Sequence, residues 1–270
     1  KFKFKKATTD SEECFRDRTA NTIIICTRHD SHHEYIIKAL ENDKNIFVEK
    51  PLCLSLKELE SIKKTYYQKF SQNKSKILMV GYNRRFSQLA IKMKDHLNKL
   101  QGPKSIIYTC NAGYIDSNNW IHNKKIGGGR LIGEACHFVD FVRFLVDSKI
   151  TKIEKQSLNK SFINNDTFNL NIDFEDGSIA SINYITLGSK MFPKERIEVF
   201  SNGSVIRLDN FKKLQGWGLK NFNNINLFNQ DKGQRNCIRN FIESIKYGLN
   251  SPIPFNEIIE TQELLLSIEE

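Results

Sequence analysis

No apolar run in this 270-residue chain reaches the ~18 residues a membrane-crossing helix needs. The six cysteines (Cys14, Cys26, Cys53, Cys110, Cys136, Cys237) form no C-x-x-C pair. That argues against a zinc ribbon or a disulfide framework and for free thiols in a reducing cytoplasm. The opening stretch "KFKFKK" is not followed by an apolar h-region and so does not read as a secretory leader. Internal repeats are absent. So is any dense basic run with interleaved aromatics, although the formal charge is +10. The lysines are dispersed and read as solvated faces, so neither nucleic acid nor a membrane surface is expected as a partner. A phosphate-bearing ligand would still feel the positive field. What is present is ordinary globular composition, 39% hydrophobic and 27% charged, in a length that suits one large domain or two modest ones.

The first third alternates strand and helix. "NTIIICT" (21–27) is a short continuous apolar run of the kind a parallel strand shows when covered on both faces. Ser31-His32-His33-Glu34 matches a capping box ahead of an apolar stripe of Tyr35, Ile36, Ala39 and Leu40. "NIFVEKP" is a second strand, Ser55-Leu56-Lys57-Glu58 a second capping box, and "KILMVGYN" (76–83) a third strand. This order predicts a parallel sheet whose strand ends, Thr27-Arg28, Glu49-Lys50-Pro51 and Tyr82-Asn83, face one crevice. The remainder changes character. A helix is expected over about 86–100, a strand at "KSIIYTCNAGY", and a helix over 130–146. Hairpins are expected at Asp176-Gly177 and Asn202-Gly203, an Asn-rich loop at 221–229, and a helix at about 233–247 with Cys237, Ile238, Phe241 and Ile245 inward. The fold class is thus α/β plus α+β: an incomplete Rossmann-like parallel sheet (1–83) followed by an antiparallel open-sheet domain with flanking helices (84–270).

Three stretches could carry chemistry. Lys50 ends a buried-type strand and precedes Pro51, which fixes the local turn and aims the side chain; alone it reads more readily as a surface lysine than as a catalytic one. "GGGRLIGEACHFVD" (127–140) leads three glycines into a helix carrying His137. No strand immediately precedes it, so it is not a dinucleotide fingerprint, and the glycines suit close backbone approach. Glu134, three residues before His137, lies on a neighbouring face, where a carboxylate raises imidazole basicity and fixes its tautomer. "CTRHDSHH" (26–33) tempts a metal reading, but its spacing fits no common zinc pattern and no metal is expected.

Together "TIIICTRHDSHHEYIIKALENDKNIFVEKPLCLSLKELESI", "GYNRRF", the Trp120…GGG…His137 series and the late "FIESIKYG" helix resemble the Gfo/Idh/MocA oxidoreductases over essentially the whole chain. Thr-Arg-His-Asp-Ser-His together with Gly-Gly-Gly-Arg-x-Ile-Gly-Glu-x-Cys-His-Phe is similar to a variant associated with two-part proteins. In these a zinc-alcohol-dehydrogenase-like half comes first, often in cell-surface polysaccharide metabolism.

The resemblance implies hydride transfer between NAD or NADP and a hydroxyl of a sugar or sugar derivative, including a nucleotide sugar. Lys50 would bond the substrate oxygen and His137 would be the general base. Thr27, Arg28, His32, Glu49, Lys50, Pro51, Asn83 and Trp120 would line the cofactor and nicotinamide region, and a homo-oligomer would form through the second sheet. Two departures stand out. The family's Asp four residues before the histidine is Gly133 here, so that Glu134 substitutes or Lys50 and His137 work without a carboxylate. The G-x-G-x-x-G unit of the family is not in this sequence, which leads to the expectation of an N-terminally truncated chain and leaves the selector between NAD and NADP unread. The alternative is a non-catalytic assembly or sugar-binding module that keeps the fold.

Overall fold

The computed structural model describes residues 4–70, 76–158 and 166–269. After a short helix α1 (Ser11–Arg16), strand β1 (Thr22–Ile25) is followed by helix α2 (His32–Glu41), β2 (Asn45–Val48), α3 (Leu56–Phe70) and β3 (Leu78–Val80). The three strands are parallel, in the order β1-β2-β3. All four residues of β2 are buried, as a continuous apolar run between two neighbours requires. Asn45 fastens the amino ends of all three strands: its side-chain amide donates to the Asn21 carbonyl at 3.2 Å and accepts from the Ile77 N–H at 3.1 Å.

β1 departs from its expected burial. It lies at the edge of the sheet, and Ile24 is 52% exposed. The continuous apolar run suggested cover on both faces, but a run alone does not say whether a strand is central. Ser31 also departs from expectation. It makes no side-chain cap to α2, because its hydroxyl turns back to the Arg28 carbonyl at 2.8 Å and to the Thr27 hydroxyl at 2.6 Å in a 3-10 turn over His29–Ser31. At the second capping box Ser55 Oγ accepts from the Glu58 N–H, and Glu58 reaches past Ser55 to the Leu54 N–H at 2.8 Å.

A 3-10 turn (Asn83–Phe86) leads into α4 (Gln88–Leu97) and β4 (Ser105–Asn111). Then come a π-helical turn (Leu131–Ala135), α5 (Cys136–Val146), β5 (Ile150–Ser157), β6 (Phe168–Phe174), β7 (Ile179–Ile185), β8 (Glu195–Ser201), β9 (Ser204–Asp209), β10 (Lys213–Trp217), β11 (Ile225–Asn226), α6 (Gln234–Tyr247) and α7 (Phe255–Ser267). The eight strands are ordered β11-β10-β9-β8-β4-β7-β6-β5. The sheet is mixed rather than wholly antiparallel: β4 runs parallel to β7 and antiparallel to β8, because a long connection rather than a hairpin brings β7 beside it. Both expected hairpins form, β6–β7 around Gly177 and β8–β9 around Asn202-Gly203, where φ is 45° and 72°.

Three further details depart from the sequence reading. The Asn-rich 221–229 stretch contributes β11 to the sheet edge. Ile238 on α6 is 37% exposed, and Ser244 takes a buried place on the inner face instead. α7 was not anticipated. It returns to the first sheet, where the Gln262 amide donates to the Cys53 carbonyl at 3.0 Å and accepts from the Leu52 N–H at 3.3 Å. One continuous apolar cluster runs from the first sheet through α5 to the inner face of the second. Among the described residues no helix is long and apolar enough to cross a membrane.

Candidate active site

The carboxyl ends of the three parallel strands meet the π-helical turn. After β1 the chain passes Thr27 and the exposed Arg28 into the 3-10 turn, and after β2 it passes Glu49 and a cis Lys50–Pro51 bond. His32 braces these two ends. It is fully buried; its Nδ1 lies 2.7 Å from the Pro51 carbonyl, and its Nε2 lies 3.2 Å from the Thr27 carbonyl. After β3, the Glu49 carboxylate covers Gly81, where an added Cβ would meet Glu49 Oε1 at 3.2 Å. Asn83 follows, its amide donating to the Lys232 carbonyl at 2.6 Å just before α6.

Lys50 leaves the cis-Pro turn half-buried and donates from Nζ to the Gly133 carbonyl at 2.8 Å. Residues far apart in sequence are thereby joined at the π-helical turn, one helical turn before His137. The half-buried His137 ring packs edge to face on Tyr82, with centroids 6.3 Å apart, and its Nδ1 is buried without a hydrogen-bond partner among the described residues. Burial, and then the positive charges of Arg84, Lys50, Lys232 and Lys194, hold its pKa well below 6.5. The ring is neutral at neutral pH, the form that can accept a proton.

Glu134 is occupied elsewhere. Its carboxylate accepts from the Tyr184 hydroxyl at 2.7 Å and pairs with Arg130 at 3.5 Å, and no hydrogen bond joins it to His137 among the described residues. Arg130 in turn donates to the Gly113 carbonyl at 2.7 Å and lies over the Tyr184 ring. A helical i,i+3 spacing places two residues on neighbouring faces but does not choose their partners.

Trp120 opens the other wall, in a 3-10 turn whose start is capped by the Asn119 side chain. Its ring meets His29 edge to face, with centroids 4.8 Å apart, and the Arg28 guanidinium lies 5.7 Å from its centroid. The glycines 127–129 close this wall. A Cβ on Gly127 would lie 2.5 Å from the Ile121 backbone, and Gly128 and Gly129 both have φ of 74°.

Beneath His137 lies a charged layer that the motifs did not single out. Arg84 grips the buried Glu195 through two bonds of 2.8 and 3.1 Å, Tyr108 donates to the same carboxylate at 2.6 Å, and Lys232 completes it. Burial alone would raise the Glu195 pKa, but Arg84 and then Lys232 outweigh it and hold it at about 2. The paired arginines of "GYNRRF" were the available signal. Their partners, Glu195 for Arg84 and Asp140 with Glu257 for Arg85, lie too far along the chain for spacing to find.

The crevice suits a nicotinamide group. It stands at the carboxyl ends of parallel strands, beside the Trp120 ring on one wall and the His137 ring on the other. Residues 1–82 match the family described as "Oxidoreductase family, NAD-binding Rossmann fold", and residues 105–205 match "GFO/IDH/MocA C-terminal domain". A scyllo-inositol 2-dehydrogenase (NAD(+)) from Bacillus subtilis is 30% identical over 66% of this chain and 52% of its own. The chain spans about half the length of the curated relatives it matches. In fold it is similar to an oxidoreductase domain protein from Kribbella flavida (TM-score 0.83, 18% identity, 97% of this chain and 80% of that one). It is likewise similar to a levoglucosan dehydrogenase solved with NADH and levoglucosan (TM-score 0.80, 19% identity, 98% and 81%). By its two matched domains and by the architecture that joins them, the chain belongs to the Gfo/Idh/MocA oxidoreductase family.

Proposed function

We propose that this chain carries the substrate side and the nicotinamide side of an NAD(P)-dependent dehydrogenase acting on a hydroxyl of a sugar or sugar derivative. The observation that carries this reading is the joining of Lys50 to the π-helical turn that leads to His137, at the end of the central parallel strand. The cofactor supplies the hydride acceptor. Lys50 donates to the substrate oxygen and holds it toward His137, and the neutral imidazole of His137 takes the hydroxyl proton. General-base help of this kind is worth roughly 10²–10⁴ in rate.

Thr27, Arg28, Glu49, Pro51, Asn83 and Trp120 shape the cofactor side. His32 acts there through the two carbonyls it braces, and Glu134 acts by fixing Arg130 and Tyr184 behind the turn. The printed names of the B. subtilis relative and of the levoglucosan enzyme agree with a polyol or sugar substrate and do not favour a non-catalytic module. Two finer parts of the proposal rest on the motif variant and on surface chemistry. One is a zinc-alcohol-dehydrogenase-like half in the same polypeptide. The other is a homo-oligomer formed through the outer face of the eight-stranded sheet, where Ile107, Phe200 and Trp217 are exposed. The test is a screen of cyclic polyols, sugars and nucleotide sugars with NAD and NADP on the full polypeptide. Turnover that appears and is lost in Lys50→Ala supports the reading, and absence of turnover across the panel counts against it.

A further inference from the structure

The family resemblance assigns no function to His29, yet its ring lies between Trp120 and Gly133, beside the turn that receives Lys50. It is 7% exposed, touches Trp120 on one side and His32 on another, and lies where a side chain at position 133 would go. A Cβ built on Gly133 would meet His29 Cε1 at 3.2 Å, Ile121 Cδ1 at 3.0 Å and the Gly127 carbonyl oxygen at 3.3 Å. Position 133 is also the residue whose carbonyl receives Lys50. Its backbone carbonyl, which any residue would offer, receives Lys50, while the missing side chain leaves room for an imidazole that comes from the turn after β1.

The chemistry of that imidazole follows from its one hydrogen bond. His29 Nδ1 lies 2.8 Å from the Gly127 carbonyl oxygen. A carbonyl only accepts, so Nδ1 carries the hydrogen. Burial, and then the charge of Lys50, hold the ring pKa at about 4, so the ring is neutral at working pH. A neutral ring with hydrogen on Nδ1 has a lone pair on Nε2. That nitrogen has no hydrogen-bond partner among the described residues and is not among the fully buried unpaired atoms, so it is not sealed from solvent.

We infer that His29 is a positioning residue, admitted by Gly133, whose Nε2 is a fixed uncharged acceptor for a second hydroxyl of the substrate beside the one Lys50 holds. The substrate class this favours is a polyhydroxylated ring with neighbouring hydroxyls. One group donates to the oxygen that reacts and one accepts from its neighbour. This rests on the dehydrogenase reading of the same crevice.

Three measurements on the full polypeptide test it. Long-range ¹⁵N–¹H spectra of histidine-labelled protein, with His29→Gln to identify the signal, should show a neutral ring with hydrogen on Nδ1 at neutral pH; an Nε2-protonated ring overturns the inference. Gly133→Ala should lower the unfolding temperature clearly, and less so in a His29→Ala background; simple additivity of the two losses overturns the admission of His29 by Gly133. In turnover of myo-inositol, scyllo-inositol or glucose with NAD, His29→Asn keeps the bond to Gly127 and loses the acceptor. It should raise KM by about tenfold while kcat changes by less than about threefold, and His29→Gln, whose amide oxygen reaches the place of Nε2, should recover most of that loss. Unchanged KM in His29→Asn, with Lys50→Ala and His137→Ala inactive, overturns this inference alone. Intact turnover in those two variants overturns the dehydrogenase roles beneath it. If none of the three probes turns over, an Nε2-protonated ring or simple additivity of Gly133→Ala and His29→Ala still overturns the inference.

Discussion

At the scale of single residues, the site is a set of buried groups held in defined charge states. His29 and His137 are both neutral when folded, and the unfolded chain takes up their protons first as pH falls. Their contribution is therefore full above about pH 6.5 and declines as pH falls through the folded value, about 4 for His29. Denaturant unfolding at stepped pH should show stability falling between pH 6.5 and 4, and the fall should be shallower in His29→Gln.

Glu195 behaves differently. With its folded pKa held at about 2, its contribution is present above 4.5 and is lost only as pH falls toward 2. Glu195→Gln leaves Arg84 and Lys232 without their counter-charge in a dry layer and should cost about 3–5 kcal/mol in the same unfolding measurement. None of this charge state was legible in the sequence. Lys50 and His137 could be singled out because Glu-Lys-Pro and Gly-Gly-Gly…His are local patterns. The bonds that set their neighbours' chemistry, Lys50 to Gly133, His29 to Gly127 and Arg84 to Glu195, are all long-range.

At the scale of elements, strands and helices followed the hydrophobic periodicity, and the exceptions have identifiable causes. Ser31 lost its capping role because a 3-10 turn intervened and gave its hydroxyl nearer acceptors. β11 hid in an Asn-rich stretch because a two-residue edge strand needs only two ladder pairs and leaves no alternating pattern. The π-helical turn also escaped notice, since its sequence reads as ordinary helix. The Gly133 carbonyl within it is the one that accepts from Lys50.

Gly233 makes a second such junction. It has φ of +82°, and an added Cβ would lie 2.4 Å from both the Asn83 carbonyl oxygen and the Ser87 nitrogen. Gly233→Ala must push α6 away from the turn that carries Asn83, Arg84 and Arg85. It should cost on the order of 3 kcal/mol, read as a lowered denaturant midpoint. The same shift should weaken NADH binding, measured by fluorescence titration of the full polypeptide.

At the scale of the whole molecule, the crevice exists because two sheets of different character share one core. The parallel sheet supplies Lys50 and the His29 turn, and the connection after β4 supplies Trp120, the glycines and the π-helical turn. α7 crosses back to clamp the cis-Pro turn through Gln262. The division into a parallel and a hairpin-rich part was readable from period and turn residues. The return of α7 and the parallel β4–β7 pair were not, since both depend on where distant segments dock. The central claim is that Lys50 and His137, brought together on this turn, perform the proton and oxygen handling of a dehydrogenase. The most direct measurement is single-turnover NADH formation by the full polypeptide with its best polyol or sugar, comparing the parent with Lys50→Ala and His137→Ala. The account predicts rates lowered by roughly 10²–10⁴ in each variant with NADH binding retained; parent-like rates in both would contradict it.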